Sequence, residues 1–348
     1  MWPYIFILVV SCGWVFLIAQ LKDNNRSIYI PLIMLATFAA IRHYTVGSDA
    51  PSYTLWFRIP VSSAGYEFNK DVEFGYQLLF KLMLKVFNNY SEYFFLVSCV
   101  IIYPVLVTLR RYSNNYLFSF FIYVSFGFYT ALFNPVRQMI AVSICFYAMR
   151  YIFEKKFFPF VFFVLLSSQF HISALVMLPF YFICNIKLKV EIKCLFAFLF
   201  SWVGAAIAIK YLAAGNARYA NYTDAMTSNG NGLYTVLLFS IIALCVYILG
   251  GNIRKNNPFY ALVEQLYLIG VSILIPLVAL KTDPSGPQRI ISYFSVYLMF
   301  VFPLIFKYIN NKFITMVFVL FCLIYFVLTT LYFGDIYPYK VNEIYDAF

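Results

Sequence analysis

Two arginines stand in closely similar settings. One lies in Asn134-Pro135-Val136-Arg137-Gln138, the other in Gly286-Pro287-Gln288-Arg289. Proline suits the first position of a helix, so each arginine is expected in a helix's first turn. Helix starts carry positive partial charge and free N–H groups, which attract anions and disfavour cations. Two arginines placed against that preference point to a shared anionic ligand, and the planar fork of guanidinium donors suits diphosphate. The plain alternative is that both side chains snorkel to lipid phosphate.

Acidic and imidazole groups stand elsewhere. The stretch Arg42-His43-Tyr44-Thr45-Val46-Gly47-Ser48-Asp49-Ala50-Pro51-Ser52-Tyr53 is followed by Asp71-Val72-Glu73-Phe74-Gly75-Tyr76. Asp49 or Glu73 can act as a general base if geometry and burial suit it; otherwise the segment is a solvated loop turning at Gly47-Ser48. His171 sits in Ser167-Ser168-Gln169-Phe170-His171-Ile172-Ser173. A lone histidine is more often a packed core residue, but an ionisable group at membrane depth is a functional candidate. In Arg218-Tyr219-Ala220-Asn221-Tyr222 the tyrosines read either as an interfacial belt or as faces for sugar rings. Glu264 lies inside an apolar run, either a structural partner or protonated, and no function is assigned to it.

The elements that must hold these groups are apolar throughout. Of the 348 residues, 63% are hydrophobic and 11% charged, against about 25% charged in a soluble domain. Too little polar material remains to cover a soluble core. A run of about 20 apolar residues spans the hydrocarbon layer as a helix, and such runs recur from end to end. We place twelve spans, at 2–20, 28–42, 91–109, 116–133, 137–153, 157–170, 171–186, 193–213, 233–250, 258–280, 290–307 and 312–333. The expectation is an all-α polytopic integral membrane protein, one transmembrane domain over 1–348. The first run starts Met-Trp-Pro-Tyr with no preceding Lys or Arg, which argues for a retained first helix. None of the seven cysteines has metal-ligand spacing, and two histidines argue against a zinc site.

Charge sets the expected orientation. Loops at 21–27, 110–111, 150–156, 187–193, 254–255 and 307–312 hold 14 cations and three anions. The positive-inside rule puts them in the cytoplasm, with both termini and the loops 43–90, 214–232 and 281–289 outward. The basic balance then reflects topology and anionic lipid, not nucleic acid. The 30 apolar residues 157–186 lie between two cationic clusters. As one helix they would run about 45 Å, and crossing once would invert everything after them. Two arms of about 21 Å each keep both clusters inside, as a hairpin with His171 at its tip.

Arg42, Gly47-x-Asp49-x3-Tyr53, Glu73-x-Gly75-Tyr76, Arg137-Gln138, His171-x-Ser173, Arg218-Tyr219-x2-Tyr222 and Arg289 occur in that order. The series resembles the EpsG-like family of Wzy-type polysaccharide polymerases, O-antigen polymerases among them, over roughly residues 40–295. The resemblance implies a GT-C-like membrane glycosyltransferase of the bacterial inner membrane with its active site facing the periplasm. Donor and acceptor would be undecaprenyl-diphosphate-linked repeat units, with no cofactor, metal or nucleotide sugar, and a chain-length regulator protein as a further partner. Carried onto this chain, Arg137, Arg289, Arg42, Arg218 and Gln138 would hold diphosphate. Tyr53, Tyr76, Tyr219, Tyr222 and Tyr293 would face sugars. Asp49 or His171 would be the general base, the first favoured with His171 positioning phosphate, and Glu73 an acceptor ligand. A flippase would need polar groups through the membrane depth, where these cluster on one side. An O-antigen ligase would differ only in acceptor. An acyltransferase would need a cytosolic donor reaching His171, which is expected to face outward.

Overall fold

The computed structural model describes residues 1–21, 26–59, 65–215, 232–284 and 286–345. Among these, structure is helical throughout, and the one β-bridge is an isolated antiparallel pair, Arg42 with Val341. Among the described residues, four helices are long and apolar enough to cross a membrane: Trp2–Gln20, Tyr90–Tyr112, Pro258–Ala279 and Lys312–Tyr332. A fifth span arises if Pro287–Ser295 and Leu298–Ile309, bent by 44°, count as one. The chain is thus an all-α, multi-pass membrane protein. The Lys312–Tyr332 helix exposes Phe313, Met316, Leu320, Ile324 and Leu328, a contiguous apolar face that suits lipid rather than water.

Every expected apolar run contains helix, but several are shorter or broken. The run 116–133 is a helix over Tyr116–Ser125, a turn at Gly127 with φ of +81°, and a 3₁₀ turn over Thr130–Phe133. The run 171–186 is a 3₁₀ stretch Ile172–Met177 followed by the short helix Phe180–Asn185. Its partner arm, 157–170, is a helix over Phe157–Ser168.

Local chemistry explains where helices begin. Asn89, Asn115, Asn257 and Asn311 each accept a hydrogen bond from a backbone N–H in the first turn of the helix that follows, satisfying donors that a helix start leaves orphaned. Asp49 and Glu73 occupy the same capping position, ahead of the helices Ala50–Arg58 and Phe74–Val86, yet neither side chain caps.

The helices gather into two compact units. The first holds Met1–Tyr147, Leu166–Ile172 and Ile309–Phe348. Its centre is the packing of Arg26–Ala40 on Tyr90–Tyr112, with Leu35, Tyr93, Phe94, Phe120 and Phe133 all buried. The second holds Ala148–Leu165 and Ser173–Tyr308 and is built round the Pro258–Ala279 helix. Within it Glu264, fully buried, takes both oxygens to Arg254, at 2.5 Å from Nε and 2.8 Å from Nη2. Of the two expectations for Glu264, this contact makes it a structural partner, of Arg254.

Candidate active site

The polar centre of the first unit is an ion pair. Arg137, the second residue of the Val136–Phe153 helix, places Nη1 2.5 Å from Glu73 Oε2. The two side chains are 9% and 12% exposed, so the pair is largely out of water. Glu73 does not cap its own helix, because its carboxylate is turned to other donors: Oε2 to Arg137 and Oε1 to the backbone N–H of Ile172 at 3.2 Å. One carboxylate thereby ties the start of the Val136–Phe153 helix to the stretch carrying His171.

Gly75 makes that junction possible. Tyr76 N–H donates to Gln169 O at 3.1 Å. A Cβ on Gly75 would stand 2.6 Å from Gln169 Cβ and 2.9 Å from Gln169 O, closer than van der Waals contact allows. Only glycine lets the two backbones approach this far. The sequence signal Glu73-x-Gly75-Tyr76 therefore has a physical basis: the carboxylate, the missing side chain and the amide all serve one docking edge.

Tyrosines enclose the guanidinium. Arg137 lies 5.7 Å from the Tyr76 ring centroid, and the Tyr53 and Tyr76 rings meet edge to face at 6.0 Å. Tyr76 is buried and its hydroxyl is 3.0 Å from that of Tyr93. Tyr53 is partly exposed and couples to both charges. Burial pushes its hydroxyl pKa up, the Arg137 charge pulls it back, and the Asp49 carboxylate adds to the rise. Tyr66, which the sequence reading passed over, feels Arg137 in the same way, with burial again the larger influence. Nothing in its local sequence marks it out.

Asp49 is partly buried and stands at the head of Ala50–Arg58, with Tyr53 one turn further on. The turn before it needs glycine: Gly47 has φ of +108°, and a Cβ there would lie 2.5 Å from Phe133 O. His171 is partly buried, beside the Ile172 amide that Glu73 accepts from. Gln138 is buried next to Arg137. Asp49, Tyr53, Glu73, Tyr76, Arg137 and the His171 backbone thus belong to one neighbourhood of one unit.

Arg42 belongs to the same unit with no exposed surface. Its guanidinium is sandwiched between the rings of Phe94 and Phe133, at 3.6 and 4.4 Å to their centroids, and Nη1 donates to Ala39 O. The resemblance gave Arg42 to diphosphate; here its guanidinium presents no surface to a ligand. In the second unit, Arg289 is half-buried on the 3₁₀ turn Pro287–Ile291, where Pro287 takes the first position as expected. Tyr293 is buried there, its hydroxyl 3.0 Å from that of Ser173. Arg218, Tyr219 and Tyr222 lie outside the described residues.

An all-α, multi-pass membrane protein with a buried carboxylate–guanidinium pair among tyrosines is the class these features define. The family follows from comparison: a model of the EpsG family matches residues 25–341, and the chain belongs to that family, whose members are like Wzy-type polymerases. The match covers every residue of the polar centre. No curated protein and no solved structure gives a significant match.

Proposed function

We propose that this chain polymerises undecaprenyl-diphosphate-linked oligosaccharide repeats into O-antigen or a related polysaccharide. The observation that carries this reading is the Glu73–Arg137 pair, held at a helix start beside Asp49, Tyr53 and the His171 stretch. Family membership supports the reaction class. The recurring apolar runs support twelve crossings, and the 14-to-3 charge count supports a polar centre on the periplasmic side of the inner membrane.

In this mechanism the acceptor sugar hydroxyl gives its proton to Asp49 as its oxygen bonds the donor's anomeric carbon. The bond from that carbon to the phosphate oxygen breaks, and undecaprenyl diphosphate leaves with the electron pair. Arg137 offsets the charge that develops on it. Glu73 fixes the Arg137 guanidinium through Nη1, Tyr53 shares the same guanidinium, and its planar fork suits phosphate. His171 positions phosphate, and Tyr53 offers a ring and hydroxyl to a sugar. Arg42, enclosed in aromatic rings, supports the loop.

The test is the lipopolysaccharide ladder of a strain with and without this gene, repeated with Asp49→Asn. A single repeat per core on deletion, reproduced by Asp49→Asn at normal protein level, is expected. Loss of all O-antigen on deletion indicates a flippase or ligase and refutes the polymerase reading. A normal ladder from Asp49→Asn refutes Asp49 as the base.

A further inference from the structure

Asn134 immediately precedes Pro135-Val136-Arg137 and touches three segments at once. Its Oδ1 accepts from Ser48 Oγ at 3.2 Å and from Asp49 N–H at 3.5 Å. Its Nδ2 donates to Gly334 O at 3.0 Å. Its own backbone oxygen accepts from Val136 N–H at 2.7 Å, at the start of the helix that bears Arg137.

The stretch after the last long helix completes the arrangement. Gly334 O also accepts from Ser48 N–H at 3.0 Å, and Asp335 O accepts from Gly47 N–H at 2.9 Å. Further along, Lys340 O accepts from His43 N–H and Ile41 O accepts from Asn342 N–H, each at 2.8 Å. The loop 41–49 is therefore paired along its length by 334–342. Two glycines make room at the hub. A Cβ on Gly47 would lie 2.9 Å from Asn134 Oδ1, and one on Gly334 would fall on Asn134 Nδ2. Both have positive φ, at +108° and +75°, where L side chains are strained.

From this we infer that Asn134, braced by the Gly334–Asn342 segment, is a positioning residue that fixes Asp49 relative to Arg137. An asparagine is suited to the task because its amide donates and accepts at once, so one planar group sets both distances. The inference rests on the proposed reading of Asp49, and it adds a residue that acts through Asp49 without touching substrate. A rigid frame matters here because a displacement of about 1 Å in a reacting group costs on the order of 100-fold in rate.

The experiment is a double-mutant cycle on purified full-length protein, with extension of a lipid-linked repeat as one readout and deuterium uptake over residues 43–50 as the other. Asn134→Ala is expected to lower kcat on the order of 100-fold at unchanged KM for donor and to raise uptake over 43–50. In an Asp49→Asn background it should cost nothing further, because two residues acting through one group are not additive. Ser48→Ala, at an exposed position, removes one of the hub's bonds; it should slow turnover about fivefold and carries the same test if Asn134→Ala fails to accumulate. Where Asp49→Asn is itself slow, equal losses in both backgrounds overturn the inference, and unchanged uptake overturns it in any case. Normal turnover by Asp49→Asn refutes the base assignment alone. The positioning role then survives if Asn134→Ala is slow with raised uptake, and is overturned if that variant is normal.

Discussion

Replacing Glu73 by glutamine keeps shape and one acceptor oxygen while removing the charge that faces Arg137. The two side chains are 9% and 12% exposed with a contact of 2.5 Å, so screening by water is weak. Unit charges about 4 Å apart at an effective dielectric near 20 attract by about 4 kcal/mol. A neutral hydrogen bond to the glutamine oxygen returns about 1 kcal/mol. The remaining loss, about 3 kcal/mol, agrees with the range for breaking a buried pair. In Glu73→Gln the guanidinium is no longer held in one rotamer, and the competent fraction falls accordingly. At tenfold per 1.4 kcal/mol, kcat/KM should drop about 100-fold. Arg137→Lys should lose as much, since an ammonium offers no fork to share between Glu73 and phosphate. The assay is in vitro extension of a lipid-linked repeat by Glu73→Gln, Arg137→Ala and the double variant. The double should be no slower than Arg137→Ala alone, because Glu73 acts through that arginine. A loss under about threefold in Glu73→Gln, the scale of an exposed pair, or fully multiplied losses in the double variant, would refute this account.

Gly75→Ala should destabilise the protein by about 1–3 kcal/mol, the usual cost of overpacking, because its Cβ would stand 2.6 Å from Gln169 Cβ; an unchanged melting temperature in detergent would show that the two backbones can part freely. A cysteine placed at Asn24 should resist a membrane-impermeant reagent applied from outside, as the loop at 21–27 is cationic. Labelling there would overturn the proposed orientation.

The helices were legible because lipid-facing and buried apolar runs read alike, and because the asparagines at 89, 115, 257 and 311 mark helix starts by chemistry that a sequence displays. Breaks inside apolar runs were not. Phe126-Gly127-Phe128 keeps its hydrophobicity through a turn made by Gly127 at φ of +81°, and hydropathy carries no information about φ. The docking of Glu73 on Arg137 joins residues 64 apart, a separation that no local pattern encodes. The motif glycines were visible as residues, but their reason, contact with Gln169 and with Phe133, is tertiary. Asn134 stands three residues before Arg137 in the sequence, where only the proline between them is read, as the first position of a helix. Its side chain faces segments from residues 48 and 334, which only the folded chain brings together.

An arginine in a helix's first turn sits against the dipole, and the inference drawn was an anionic ligand. The anion the fold itself supplies is Glu73, an acid that occupies a capping position and leaves its own helix uncapped to reach Arg137. A lone buried cation would cost several kcal/mol, so an arginine waiting at this depth for a ligand needs a resident counter-charge. The pair is therefore stable with no substrate bound, while Nη1 alone is committed to Glu73. Tyr53 is a second partner of the same guanidinium, so a diphosphate would engage the fork beside Tyr53 without first having to displace the carboxylate. As negative charge grows on the departing phosphate, the guanidinium that meets it is already oriented, and no reorganisation has to accompany bond breaking. On this argument Glu73 and Arg137 form one functional unit: the acid keeps the arginine both tolerable and aimed in the resting protein.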